Sequence, residues 1–280
     1  DPKRRKDTGK ADLMNIASSL FAIFFYMLAT AMLLHRLRTG NNRRLGTSAL
    51  ILGLFAVVAH GIAAVTAIAT PEGADLGLSQ LFSLLSGMIC LITLTTSLRR
   101  PLHNLLLALF PLASLSIVFE LLLPGKEIGE HYSAGMYSHI ILSILAYSTL
   151  SIAAAQALVL AVQDRMLRQH KLRGLPNYMP PLQTMESMLF ELIAMSFVLL
   201  SGAILTGILY VDNLLAQHLV HKTVFSIMAW AFLGVLIGGR LALGWRGRTA
   251  IRWTLLAFSS LLLGYVGTKI ALIVFSQTAA

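Results

Sequence analysis

Histidines are the residues of this chain best suited to chemistry, and there are eight of them. His139 and His221 each open a long apolar run, and His60 lies inside another. A neutral imidazole offers a nitrogen lone pair near physiological pH, which makes it a common metal ligand. Two imidazoles from the ends of two different helices can hold a haem iron between them. His131 and His218 sit near the same ends as His139 and His221, whereas His35, His103 and His170 lie at the opposite ends of their runs. A histidine at a span end is otherwise an interfacial group bonded to headgroups or water. One deep in a span is otherwise a packing residue bonded to a neighbouring carbonyl. Spacing alone leaves both readings open. No CxxC, HExxH, CxxCH or P-loop pattern occurs, so zinc hydrolysis, nucleotide hydrolysis and covalent haem attachment lack their usual signatures. The single Cys90 excludes an intrachain disulfide.

The elements that must position these residues are membrane helices. Of 280 residues, 56% are hydrophobic and 12% charged, about half the charged fraction of a soluble domain. Such a chain cannot cover a water-facing surface with polar groups. Eight apolar stretches of roughly spanning length are expected: Met14–Leu34, Thr47–Ala69, Ser79–Leu98, His103–Leu122, Tyr137–Val162, Ser187–Tyr210, Leu219–Leu241 and Ile251–Phe275. The gaps carry turn residues such as Gly40-Asn41-Asn42, Pro71-Glu72-Gly73 and Pro124-Gly125. None can hold a soluble domain, and no alternating strand pattern suggests a membrane β-barrel. The expected fold is all-α: one eight-helix membrane domain over residues 14–280.

Charge sets the expected orientation. The net charge of +10 resembles a nucleic-acid signal, but the basic residues lie in the gaps between spans, so no nucleic-acid partner is expected. Odd-numbered connections hold Arg36, Arg38, Arg43 and Arg44; Arg99 and Arg100; Arg165, Arg168, Lys171 and Arg173; and Arg240, Arg246, Arg248 and Arg252. Even-numbered connections hold only Lys126 and Lys222, with the acids Glu72, Asp75, Glu127, Glu130 and Asp212. Basic loops stay in the cytoplasm, which places both ends of the membrane domain on the outer, periplasmic side. Asp1–Leu13 is rich in Lys and Arg yet falls on that side. Met14 stands directly before the first apolar run, so residues 1–13 are expected to be an appended or disordered tail outside the fold.

Ionisable residues inside spans are costly and default to functional candidates. His60 lies nine residues before Ala69, roughly 14 Å below the outer end at 1.5 Å per residue. Glu120 ends the fourth span, Lys269 lies in the outer part of the last, and Glu186 and Glu191 fall in the first turns of the sixth helix, where the dipole favours acids. Gly234/Gly238 and Ala203/Gly207 are small-residue pairs that permit close helix approach.

Several segments carry a family resemblance. The fifth span reads Gly135-Met136-Tyr137-Ser138-His139-Ile140, followed by Ser143 and Tyr147. Met179-Pro180-Pro181-Leu182-Gln183-Thr184-Met185-Glu186 comes next, then His221 through Trp230, Gly244-Trp245-Arg246-Gly247-Arg248 and Tyr265-Val266-Gly267-Thr268-Lys269. This order resembles the transmembrane cytochrome c assembly family of CcsA-, CcmC- and HemX-type proteins, and within it the YpjD-like inner-membrane branch. The resemblance implies non-covalent haem b near the outer face, with His139 and His221 as axial ligands of the iron and His60 as a further, intramembrane haem contact. Haem-delivering members carry a tryptophan-rich outer loop. Trp230, Trp245 and Trp253 all lie outside the outer connections here, so the expectation is haem handling without presentation to apocytochrome.

The expected function is therefore a bacterial inner-membrane protein that binds haem and has no catalytic activity of its own. Its expected partners are the lipid bilayer, haem and another membrane protein. The alternative is a haem-free partner or regulatory subunit, docked through its basic loops or its GxxxG face. A small-solute transporter is a weaker third reading, because no inverted repeat or pair of interrupted spans is visible.

Overall fold

In a computed structural model, residues 2–39, 43–70, 73–98, 103–123, 132–169, 180–211 and 220–267 are described. They form a helical membrane protein. Only a short hairpin, β1 (Ala69–Thr70) paired antiparallel with β2 (Gly73–Ala74), breaks the helical pattern. It falls at the expected Pro71-Glu72-Gly73 turn, and Gly73 adopts φ 128°, which suits glycine. The helices follow hydropathy because hydrocarbon offers the backbone no water, so every N–H and C=O must be satisfied within the segment. The helices are α1 (Pro2–Thr39), α2 (Arg43–Ile68), α3 (Leu78–Ser97), α4 (His103–Leu122), α5 (Ala134–Arg168), α6 (Leu182–Tyr210), α7 (Val220–Leu243) and α8 (Arg248–Leu262).

Seven of these are long and apolar enough to cross a membrane. The eighth is α-helical for only 15 residues and continues as a π turn, Leu263–Gly267. The remainder of the expected last span, including Lys269, lies outside the described residues, as do His131, His170 and His218. The backbone of residues 2–12 continues α1 as helix, and the apolar part of α1 begins at Leu13. Helix α5, at 35 residues, is about 52 Å long. That exceeds a hydrocarbon core of roughly 30 Å, so one or both of its ends stand in the interface.

The chain divides into two compact units, residues 1–132 and 133–280, with the boundary in the fourth connection. In the first unit α1 packs on α2 and α4, and α3 packs on α2 and α4. Its core is the α1 stripe Ala22, Tyr26, Ala29 and Leu33, closed by Ala56, Leu106, Phe110 and Ile117. Gly53 of α2 leaves room for the Phe110 ring: a Cβ there would meet it at 2.6 Å.

In the second unit α5 packs on α6 and α8, and α7 also packs on α6 and α8. Helices α5 and α7 therefore stand on a diagonal. Gln156 Nε2 donates to the Met185 carbonyl at 3.3 Å and Gln163 Nε2 to the Pro180 carbonyl at 3.0 Å, tying α5 to α6. Phe197 stacks on Trp230, whose indole N–H donates to Ser201 Oγ at 2.8 Å. Gly234 takes the Phe197 ring at the α6–α7 contact, whereas Gly238 faces open space. Only the first glycine of the expected GxxxG pair is used within the unit.

The α7–α8 connection is built around a third glycine. Trp245 folds back over Gly239 and stacks on Trp253, while Gly244 and Gly247 take φ of +67° and +52° to turn the chain. A Cβ at Gly239 would lie 2.3 Å from the Trp245 ring. Gly239→Ala is therefore expected to destabilise the protein by about 1–3 kcal/mol through overpacking. Thermal unfolding in detergent checks this, and the loss should shrink when Trp245→Ala is present as well.

Candidate haem-ligand site

His139 sits in the second turn of α5, after Ser133 caps the helix by accepting the Met136 N–H at 3.2 Å. The ring turns toward α6, half-buried, with Nδ1 2.8 Å from the Ala203 carbonyl oxygen and 3.4 Å from Thr206 Oγ1. A carbonyl can only accept, so Nδ1 carries the proton. The Thr206 hydroxyl is within 2.8 Å of the Gly202 carbonyl and donates there, which leaves its oxygen free to receive the same Nδ1–H. In the neutral ring the tautomer is thereby fixed, with the lone pair on Nε2. A backbone carbonyl holding the remote ring nitrogen is the usual orienting contact of a ligating histidine.

This contact depends on small residues. Ala203 and Gly207 are buried on the α6 face that meets α5, which lets an imidazole reach the backbone. One turn earlier on α5, Gly135 takes the Tyr210 ring, where a Cβ would lie 2.3 Å away.

His221 is exposed in the first turn of α7. The buried positions of that helix are Ala229, Leu233, Leu236 and Gly239. Ser226 continues the stripe of the first three at helical spacing, and it approaches the Tyr147 hydroxyl of α5 across the diagonal. At 100° per residue, His221 is rotated roughly 140° from Ser226. The side of α7 that looks toward α5 thus carries Ser226, and His221 lies on another side.

His60 belongs to the first unit. It is fully buried, and both ring nitrogens are engaged: Nδ1 is 3.2 Å from Tyr26 Oη and Nε2 is 3.0 Å from Ser83 Oγ. Tyr26 stands edge-on to the imidazole at 5.8 Å between centroids. Gly87 of α3 lies against the ring, where a Cβ would come within 3.1 Å. Neither nitrogen is available to a metal without loss of a hydrogen bond. Glu120 is buried nearby, with Ser83 and Asn15 as polar neighbours, but neither carboxyl oxygen completes a hydrogen bond among the described residues.

Sequence reasoning placed Glu186 by its helix dipole and missed its main contact. Arg240 Nη1 donates to Glu186 Oε1 at 2.9 Å and to the Trp245 carbonyl at 3.2 Å, with the guanidinium over the Phe190 ring. The one cue was a lone Arg240 near the end of an apolar run.

Among the described residues no group of three or more His, Cys, Asp or Glu side chains could hold a bare metal ion. The donor set around His139 offers a single oriented imidazole. That fits a group which brings most of its own ligands, as a porphyrin does, to which His139 would add one more.

The sequence pattern of the family described as "Cytochrome C assembly protein" matches residues 47–275. The "Inner membrane protein YpjD" of Escherichia coli K12 is 33% identical over 258 residues, covering 90% of this chain and 96% of that protein. Its counterpart in Escherichia coli O157:H7 matches equally. An uncharacterized 28.8 kDa protein of Azospirillum brasilense is 32% identical over 133 residues, 47% of this chain and 49% of that protein. No solved structure matches.

Proposed function

The chain belongs to the cytochrome c assembly protein family, a multi-pass protein of the bacterial inner membrane, and from that premise we propose that it is a non-catalytic haem-handling protein. The observation that carries the reading is His139: its Nδ1–H is held by the Ala203 carbonyl, so its Nε2 is presented as a ligand. His139 and His221 would be the axial pair. Of the two, His139 is oriented in advance, and His221 stands exposed at the start of α7. When bound, haem supplies a redox-active iron. The protein's own part is to fix the His139 ring and keep its tautomer. His221 lies on a side of α7 other than the one toward α5, so α7 would have to turn for the second imidazole to join His139. The absorption spectrum of His139 and His221 variants tests the assignment.

In the proposed topology the chain crosses eight times, with the basic odd-numbered connections in the cytoplasm and the haem site near the outer face. The asymmetry of Lys and Arg between alternate connections supports it. The only native cysteine, Cys90, is buried, which makes thiol labelling clean. A cysteine at position 246 is expected to be shielded from an impermeant thiol reagent in intact spheroplasts, and one at position 127 to react. The opposite pattern would invert the topology.

A second reading, a haem-free regulatory or accessory subunit, is favoured by the exposed Gly238 face of α7 and by the absence of a tryptophan-rich outer loop. A protein that stays colourless after haem is added would support it.

A further inference from the structure

At the far end of α5 from His139, the last turns of that helix meet the first turns of α8 around a cleft of about 420 Å³. Four guanidinium groups line it: Arg165 and Arg168 from α5, Arg248 and Arg252 from α8. A single acid answers them. Asp164 takes Arg168 Nε at 3.0 Å and Arg248 Nε at 3.2 Å, bridging the two helices. Arg165 and Arg252 are exposed and carry no ion pair among the described residues. The cleft therefore keeps an excess of positive charge. Two of its arginines are held in place by Asp164, and two remain available to an anion.

The charge is also placed against the local field. Arg248 and Arg252 occupy the first turns of α8, where the helix dipole favours acids, and the first turn holds none. The N-cap, Gly247, offers no side-chain acceptor. An anion in the cleft would relieve both costs.

The surroundings identify the class of anion. Below Arg165, the exposed residues Leu158 and Val162 continue its stripe along α5. Below Arg252, Leu256 continues its stripe along α8 and Leu263 opens the π turn that follows, both exposed. Each free guanidinium thus heads an exposed apolar track, and Ala161 and Ile251 line the cleft between them. A phosphate with two acyl chains matches this arrangement: the phosphate takes the guanidinium forks, for which arginine geometry is suited, and the chains follow the two tracks. We propose that this cleft is a binding site for the phosphate of an anionic diacyl phospholipid. It is distinct from the haem-ligand site and does not rest on it.

The test uses the full chain purified in a neutral detergent. Phosphatidylglycerol, phosphatidylethanolamine and inorganic phosphate are titrated separately, with thermal stability and native mass spectrometry as readouts. Phosphatidylglycerol is expected to raise the midpoint and to remain bound, with little effect from phosphatidylethanolamine. In Arg165→Gln/Arg252→Gln its apparent affinity should fall on the order of thirtyfold. That pair is chosen because neither residue holds the Asp164 bridge. Arg246→Gln, an exposed basic residue outside the cleft lining, should behave as wild type. Equal retention of phosphatidylglycerol by the double variant, or an equal loss in Arg246→Gln, overturns the site. Equal stabilisation by inorganic phosphate overturns the lipid assignment and makes the cleft a soluble-phosphate site.

Discussion

Substituting His139 by alanine is expected to remove haem from the purified protein, lowering haem retention at least tenfold relative to wild type. The expectation follows from the geometry around the ring. Among the described residues, only His139 has a ring nitrogen fixed by a backbone carbonyl, that of Ala203 at 2.8 Å. Second contacts of this type typically matter by 10- to 100-fold in metal affinity, so losing the ligand itself should cost no less. Thr206→Val, which takes the 3.4 Å contact from the ring and leaves the 2.8 Å Ala203 contact in place, should weaken haem retention far less. Loss of colour could also follow from misfolding, so the readout is rescue: free imidazole added to His139→Ala with haem should restore a Soret band. A His139→Ala protein that keeps the wild-type spectrum contradicts the axial assignment.

A second large effect is expected at His60, of a different kind. His60→Leu keeps a similar volume but leaves the Tyr26 and Ser83 hydroxyls without their imidazole partner in a fully buried setting. An orphaned buried hydroxyl costs about 1–3 kcal/mol, and membrane hydrogen bonds average lower, near 0.6 kcal/mol. Together with imperfect packing beside Gly87, the loss should be roughly 2–4 kcal/mol. Unfolding in mixed micelles should show it, with Tyr26→Phe losing less. The haem spectrum should persist in His60→Leu, because both ring nitrogens already serve the helix interior. A stable His60→Leu protein with an altered Soret band would instead make His60 a haem contact.

These contrasts show where the sequence was informative. Span positions were legible because backbone satisfaction in lipid forces helices wherever hydropathy is sustained. The apolar cores of α2, α3, α4 and α7 fall where they were expected. Hydropathy is blind to rotation, however, because lipid rewards apolar residues on every outward side. The rotation of α7, which turns Ser226 rather than His221 toward α5, was therefore not visible. The pairing of helices within each unit was hidden for the same reason. The Ala203 carbonyl that orients His139 is a backbone group, which no side-chain pattern marks; the Ala203/Gly207 pair was the nearest cue, through the close approach it permits. The bridge of Asp164 to Arg168 and Arg248 joins residues 84 apart, so each read as an ordinary loop charge. The backbone of residues 2–12 is helical and continuous with α1. A span of apolar residues beginning at Leu13 lets the helix propagate into the polar stretch, since extension adds a hydrogen bond per residue without a new nucleus.

Haem binding is tested most directly by the visible spectrum of the wild-type protein. The full chain is purified from haem-replete cells in mild detergent and titrated with haem, oxidised and reduced. A Soret band that saturates at one equivalent of haem is expected, with sharp low-spin bands on reduction if both His139 and His221 hold the iron. A protein that remains colourless throughout the titration, while folded by circular dichroism, would contradict haem binding and leave the regulatory-subunit reading in its place.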